Sequence, residues 1–387
     1  MGDYGKVVTG NTPPTKDIEN YENGTYLWAS PADLGTIKSI TETKTMLSVK
    51  GFSKTRTLPK GSVLVTCIGS TIGKTGMATK EMSTNQQINS IVVNDNNDNE
   101  FVYYAIQSAF PRYLSSIAVQ AVPIISKSAF ELLPNKRPCL QEQKRIGKFL
   151  SLLDERISTQ NKIIEDLKKL KCAIIEKVFC SPSQEHPMCR IEGFEQALST
   201  YKMSDFSSRI ATKNKDSKCS LVLTIAAQYG LVNQESFFNK SVASENLTGY
   251  YLLHKGEFAY NRSYSAGYDW GAVKRLDNYD EGVLSTLYIC FKINETIVDS
   301  DYLTYYFEST KWHRGLSDIA GEGARNHGLL NISLSDYFNT EHRFPPIDEQ
   351  KCIASILNAI SVKGQNAIEL GQLYSKQKQY LLRQMFI

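Results

Sequence analysis

The chain has 387 residues, 41% hydrophobic and 22% charged, with a formal net charge of +4. That length suggests two or three domains with ordinary cores, and so small a positive excess excludes a uniformly basic nucleic-acid sponge while leaving room for a local basic face. No apolar run reaches the ~18 residues needed to span a bilayer, and the opening MGDYGKVVTGNTPP lacks the apolar stretch of a signal peptide.

Residues 1–137 read as a first globular segment. A turn-rich opening, VVTGNTPPTK, leads to short β-like runs: TYLWA, TRTLPKGSVLVTCIGSTIGKTGMAT and NQQINSIVV. Gly51, Gly61, Gly69, Gly73 and Gly76 punctuate them as tight hairpins require. A helical stretch follows from Glu100 to Phe110, then VPIISKSAFELL. Mixed strands and short helices predict an α+β domain.

Residues 138–180 read as one long helix. Ile146, Leu150, Leu153, Ile157, Ile164, Leu167, Ile174 and Val178 recur in steps of three and four, interrupted by Gln160 and Lys171. That is a coiled-coil seam. About 40 residues at 1.5 Å each make a rod of roughly 60 Å, and a narrow stripe on such a rod needs a second helix to cover it.

Residues 181–344 read as a second globular segment after the linker SPSQEHPM. The pattern of the first returns in weak form: MSDF at 203–206 mirrors MGDY at 1–4, LHKGEFAY at 253–260 mirrors LPKGSVLV at 58–65, and DYLTYYFES at 301–309 mirrors EFVYYAIQS at 100–108. Residues 345–387 then repeat the long helix without a gap: Pro138, Glu142, Gln143, Ile146 and Leu150 meet Pro345, Glu349, Gln350, Ile353 and Leu357, and Ile360 and Leu381 continue the stripe. Gly364 and Gly371 replace Ile157 and Ile164 in this copy, which predicts a kink or fraying there. The chain is therefore (globular segment, rod) twice. The expected fold is two α+β domains separated by two long helices packed as an antiparallel coiled coil, with pseudo-two-fold symmetry and the globular parts at opposite ends.

Chemistry-bearing motifs fail on inspection. GSTIGKT at 69–75 has three residues between its glycines where a phosphate loop needs four, and Ile68 stands where the first glycine belongs. Pro31, Asp33, Glu42 and Lys44 loosely imitate a metal-nuclease constellation too degenerate to carry weight. The five histidines show no metal-ligand spacing, no Asp/Asn-Pro-Pro-aromatic motif occurs, and no cofactor loop follows a strand. The eight cysteines, scattered without a C-x-x-C pair, read as free thiols of a reducing cytoplasm. On motifs alone the chain is not an enzyme and binds no metal or cofactor.

Loops that could read nucleic acid remain. In the first segment they carry Lys44, Lys50, Lys54, Arg56, Ser70, Thr71 and Lys74. In the second they carry Asn261, Arg262, Tyr264, Tyr268, Trp270, Lys274 and Arg275, then Arg325, Asn326 and His327. Arg, Lys and Asn hydrogen-bond base edges, while Lys and backbone amides position phosphates. For any one of these residues, the ordinary alternative is a solvated surface side chain.

The tandem order, the KGSVLVTCIGSTIGKTG hairpin and the duplicated PCLQEQKRI and PPIDEQKCI helix starts resemble the specificity subunit of type I restriction–modification enzymes, over nearly the whole chain. The resemblance implies that each domain reads one half of a split, asymmetric target in double-stranded DNA. It implies that the helices fix the gap and dock two modification (methyltransferase) subunits, and that restriction (motor–nuclease) subunits join the complex. S-adenosylmethionine, ATP and Mg would belong to those partners, and the chain itself would be a non-catalytic cytoplasmic protein. Two rivals are a coiled-coil scaffold that binds protein and a stand-alone nuclease using Asp33, Glu42 and Lys44.

Overall fold

The computed structural model describes residues 1–35, 37–116, 123–215, 218–239, 246–263, 267–320 and 330–386. Two helices of 39 residues each, Leu140–Val178 and Ile347–Met385, run where the repeat put them. The second is helical throughout. The fraying expected near Gly364 and Gly371 does not occur, since two glycines cost only about 1 kcal/mol each against alanine, too little to break a helix of this length. All ten predicted seam positions of the first helix, Gln160 and Lys171 included, are buried or half-buried. In the second helix Ile353 and Leu357 are buried, and Ile360 and Leu381 half-buried.

By contact the chain divides into two compact units. One comprises Met1–Lys162 with Ile368–Ile387, and the other Ile163–Ala367. Each unit thus holds one globular segment and part of both long helices. In unit 1, Ile146 and Leu381 pack on the same core, Asp154 meets Lys378 at 2.6 Å, and Arg156 lies over the Tyr374 ring at 5.4 Å. Numbers rise on one helix as they fall on the other, so these segments are antiparallel. In unit 2 the closing turns of the first helix (Ile175, Phe179) share a core with the opening turns of the second (Ile353, Ala354, Leu357).

The sheets repeat as the sequence does. In unit 1 the strands run Gly5–Thr9, Ile88–Val93, Val63–Thr66, Thr75–Ala78 and Ser39–Ile40 across the main sheet. In unit 2 the order Ser207–Arg209, Ile289–Ile293, Phe258–Asn261, Ala272–Arg275 reproduces the first four. Smaller sheets flank each: Thr45–Leu47, Tyr26–Ala29 and Ser83–Thr84 in unit 1, and two hairpin-like pairs in unit 2, Leu223–Ala226 with Gly230–Asn233 and Tyr251–His254 with Glu281–Leu284. All eight cysteines are free. Among the described residues no helix is long and apolar enough to cross a membrane.

A duplicated glutamine ties each long helix to its sheet domain. Gln143 accepts from the Asp98 backbone N–H at 3.1 Å and donates to the Pro138 carbonyl at 3.0 Å. Gln350 accepts from the Asp299 N–H at 2.9 Å and donates to the Pro345 carbonyl at 2.9 Å. Both glutamines are 1% exposed. Asp98 and Asp299 in turn cap the helices Asn99–Ser116 and Ser300–Tyr306, accepting from Phe101 N and Tyr302 N. Gly147 allows the close approach in unit 1, since a Cβ there would stand 2.5 Å from the Asp98 carboxylate and 2.9 Å from Phe101 N. A tyrosine adds to each junction: Tyr104 donates to Asp154 at 2.6 Å, and Tyr305 donates to Asn358 at 2.7 Å.

His342 is buried in an aromatic cage of Phe206, Tyr306, Phe307 and Phe344, bonded to the Tyr306 and Thr340 hydroxyls at 3.0 and 2.9 Å. Burial lowers its pKa to about 3. An unfolded histidine binds a proton below about pH 6.5, so between pH 6.5 and 3 the unfolded state holds more protons and stability falls as pH falls.

Two expectations follow from these contacts. Gln143→Ala and Gln350→Ala each leave a buried N–H without a partner and should cost about 1–3 kcal/mol in urea unfolding; midpoints unchanged in both variants would show that the clamp contributes nothing. In a Trp28→Phe chain the remaining tryptophans, Trp270 and Trp312, report unit 2. Its unfolding free energy should drop by up to about 1.4 kcal/mol per pH unit below 6.5 from His342 alone, and His342→Gln should flatten that part of the slope.

Candidate nucleic-acid interface

The glycine-punctuated hairpin of unit 1 pairs Val63 with Met77, Leu64 with Gly76 and Val65 with Thr75. Its loop, residues 67–74, turns on Gly69 and Gly73, whose φ values of 94° and 93° favour glycine. Gly73 N donates to the Thr66 carbonyl at 3.0 Å, and Lys74 N to the Thr71 carbonyl at 3.2 Å. The loop returns into a strand, whereas a phosphate loop would open a helix. Ser70 and Lys74 are exposed and Thr71 is half-buried. The Lys74 ammonium has no ion pair among the described residues.

The other cations of unit 1 differ in their commitments. Lys54 bonds Asp17 at 3.0 Å and Asn20 at 2.9 Å, and Lys50 is paired with Asp17 at 3.2 Å and with Glu19. The hydrogen bonds from Lys54 and Lys50 lower the pKa of Asp17. The Arg56 guanidinium donates to the Thr9 carbonyl at 2.7 Å. Lys44 is exposed; its backbone N–H donates to Asp33 at 2.8 Å, and its ammonium is unpaired among the described residues. Asp33 spends its other carboxylate oxygen on the backbone N–H and hydroxyl of Ser30. It braces a turn.

In unit 2 the equivalent hairpin pairs Phe258 with Arg275, Ala259 with Lys274 and Asn261 with Ala272. Arg275 reaches Asp277 at 2.6 Å and Asp301 at 2.7 Å, fastening the strand to the helix start. Arg262 donates to the Ile332 and Leu287 carbonyls at 3.0 and 3.2 Å, so its guanidinium holds two loops. Asn261 accepts from Ser263 N at 3.0 Å. The Trp270 carbonyl accepts from the Tyr260 hydroxyl at 2.9 Å, and its half-buried ring packs on the unit 2 core. Lys274 lies 5.9 Å from the centre of the Tyr268 ring; burial lowers the lysine pKa and raises that of the tyrosine. Tyr264, Arg325, Asn326 and His327 lie outside the described residues.

Sequence reading missed an exposed aromatic group. Tyr229 and Phe237 lie 6.4 Å apart and Phe237 and Phe238 5.0 Å apart, and the three are 69%, 45% and 46% exposed. Tyr229 sits at the turn joining strands Leu223–Ala226 and Gly230–Asn233, and the phenylalanines close the short helix Gln234–Phe238. The only sequence signal was two adjacent phenylalanines after a polar run. Aromatic rings displayed in this way suit stacking on, or wedging between, bases.

Residues 1–169 match the family described as "Type I restriction modification DNA specificity domain". The chain is 30% identical over 184 residues to the MjaIX specificity subunit of Methanocaldococcus jannaschii, covering 46% of this chain and 42% of that one. It is 29% identical over 181 residues to the HindI specificity subunit of Haemophilus influenzae, covering 44% and 38%. The chain thus spans about two fifths of the length of these relatives. In fold it is similar to the type I S subunit from M. genitalium (TM-score 0.56, 16% identity, 99% of this chain and 93% of that one). It is equally similar to a chain from a solved type I R-M system (TM-score 0.57, 15% identity, 100% and 96%). Residues 1–169 thus match the type I restriction modification DNA specificity domain, and the two α+β units with their long helices share the fold of the solved S subunit.

Proposed function

We propose that this chain is the DNA-recognition subunit of a type I restriction–modification complex, with each unit reading one half of a split asymmetric target. The observation that carries this reading is the repetition of one sheet-and-loop unit on two long helices, with the same strand order and the same glutamine junction in both copies. A repeated reader on a stiff support suits a target made of two short sequences at a fixed gap. The long helices are the element that sets the gap and docks two modification subunits; restriction subunits join that assembly in the cytoplasm. The chain itself is non-catalytic, and S-adenosylmethionine, ATP and Mg are carried by its partners.

In unit 1, Lys44 and Lys74 carry ammonium groups without an ion pair among the described residues, and Ser70 and Thr71 share the loop of Lys74, so these four are assigned to the DNA. Lys50, Lys54 and Arg56 are assigned to holding the loops. In unit 2, Tyr229, Phe237 and Phe238 join Tyr264, Tyr268, Lys274, Arg325, Asn326 and His327 as candidate contacts. Asn261, Arg262, Trp270 and Arg275 are assigned to positioning them.

The first experiment is a methylation map. The purified chain, its cognate modification subunit and S-adenosylmethionine are incubated with long unmethylated DNA, and every N6-methyladenine is located. Methylation confined to one split motif with a fixed gap is expected; methylation that is absent, or unchanged without this chain, would overturn the assignment and favour a protein-binding scaffold. Lys74→Ala and Lys44→Ala should each weaken binding about equally on all sequences and reduce the slope of log K against log salt by about 1, whereas Lys50→Ala should leave the slope nearly unchanged. Exchanging residues 1–137 for another family member's first domain should change one half-site and preserve the other half and the gap.

A further inference from the structure

Both units carry the same small device beside the main sheet, and they finish it differently. In unit 1 the strand Tyr26–Ala29 pairs antiparallel with Thr45–Leu47, and a five-residue helix, Val49–Ser53, follows at once. In unit 2 the strand Leu223–Ala226 pairs antiparallel with Gly230–Asn233, and the five-residue helix Gln234–Phe238 follows. Each helix has a phenylalanine at its fourth position, Phe52 in one and Phe237 in the other.

Phe52 is covered. The Tyr26 ring stacks on it at 4.3 Å and 15°. The turn Ile18–Asn20 lies against the same helix: Ser48 N donates to the Asn20 carbonyl at 3.0 Å, and a Cβ on Gly51 would stand 2.1 Å from that oxygen. Phe52 is buried as a result. In unit 2, Leu223 is first in its strand as Tyr26 is in its own, but it is buried in the core with Ile225, Leu231 and Ala272. Phe237 meets Tyr229 at 58° and Phe238 at 84°, so no ring lies parallel to it among the described residues, and all three rings are exposed. Their mount is firm. Asn233 caps the helix by accepting from Glu235 N at 2.9 Å, and Gln234 N donates to the Val222 carbonyl at 2.9 Å. The strand Gly230–Asn233 lies against Ala272–Arg275, the strand that carries Lys274.

We infer that, given the DNA-recognition role proposed above, Phe237 and Tyr229 form a wedge that enters the base stack of the half-site read by unit 2. The wedge opens one base step and kinks the duplex there, while unit 1, whose matching ring is already stacked, leaves its own half-site closed. The chemistry of the occupant is read from the covered copy: Phe52 takes a flat aromatic ring on its face, and a nucleobase offers Phe237 the same. A wedge has to be stiff to unstack bases, and the capped helix on its buried hairpin supplies that. Opening a step costs least where the DNA is flexible, as at pyrimidine–purine steps. The wedge therefore adds sequence preference at a position where no side chain bonds a base edge.

The test uses the full chain with its modification subunit, on the duplex target that the methylation map defines. The half-site of unit 2 is the one that exchange of residues 1–137 leaves unchanged. 2-Aminopurine is placed at successive positions of both half-sites, apart from the methylated adenines, which a methyltransferase extrudes from the stack. On binding, a rise in fluorescence that depends on Phe237 is expected in the unit 2 half and not in the unit 1 half. Phe237→Ala and Tyr229→Ala, both at exposed positions, should each abolish that rise and weaken target binding about five-fold or more, the loss of one base–aromatic stack. Specific binding and methylation with no such rise, or with a rise that survives both variants, would overturn the wedge and leave the recognition role intact. Weaker binding of the modification subunit by these variants in the absence of DNA would also overturn it, and would assign the rings to a protein contact. A complex that binds no DNA would overturn the recognition role and the wedge together.

Discussion

The structure depends on a buried glutamine that joins a long helix to a sheet domain. A 39-residue helix with a narrow apolar stripe has little reason to hold a fixed orientation toward a globular neighbour. The Gln143 amide supplies that orientation by bonding two main-chain groups at once, one on each side of the junction, and Gln350 does the same in the second copy. Because both groups are buried, an unfilled bond is costly, and the geometry is correspondingly firm. Everything downstream, including the capped helices after Asp98 and Asp299 and the hairpins packed on them, is placed relative to this bond.

Much of this architecture could be read in the sequence, for a physical reason. Seam residues such as Leu150, Leu153 and Leu357 repeat with the period of the helix, and burial on one face is what that period encodes. The duplication was visible because Pro-x-x-x-Glu-Gln opens both helices. The role of Gln143 was hidden, since its partners are backbone atoms that carry no signature. The forecast of fraying at Gly364 and Gly371 gave too much weight to a propensity cost of about 1 kcal/mol per glycine, which a 39-residue helix absorbs.

The candidate interface was less legible. Lys50 and Lys54 read as free cations because Asp17 and Glu19, which bind them, lie some 30 residues earlier in the chain. Arg262 and Arg275, candidates by their loop position, also have partners inside the unit, the first in the carbonyls of Ile332 and Leu287, the second in Asp277 and Asp301. An arginine's loop address says nothing about which distant carbonyl or carboxylate will claim it. Lys74 differs because its ammonium meets no carboxylate among the described residues, and the turn of its loop on Gly69 and Gly73 the glycines did announce.

The junction glutamines have a consequence for how such a protein can change. Their bonds end mostly on main-chain atoms, the Asp98 and Asp299 amides and the Pro138 and Pro345 carbonyls, with the Asn97 side chain accepting a further bond from Gln143 at 3.2 Å. The coupling between long helix and sheet domain therefore rests in large part on backbone atoms, to which side-chain bonds such as Tyr104 to Asp154 and Tyr305 to Asn358 are added. A replacement sheet domain would need to preserve the capping position, the path of the backbone and the tyrosine that reaches the long helix. Beyond those contacts the rest of such a domain could change without disturbing the joint.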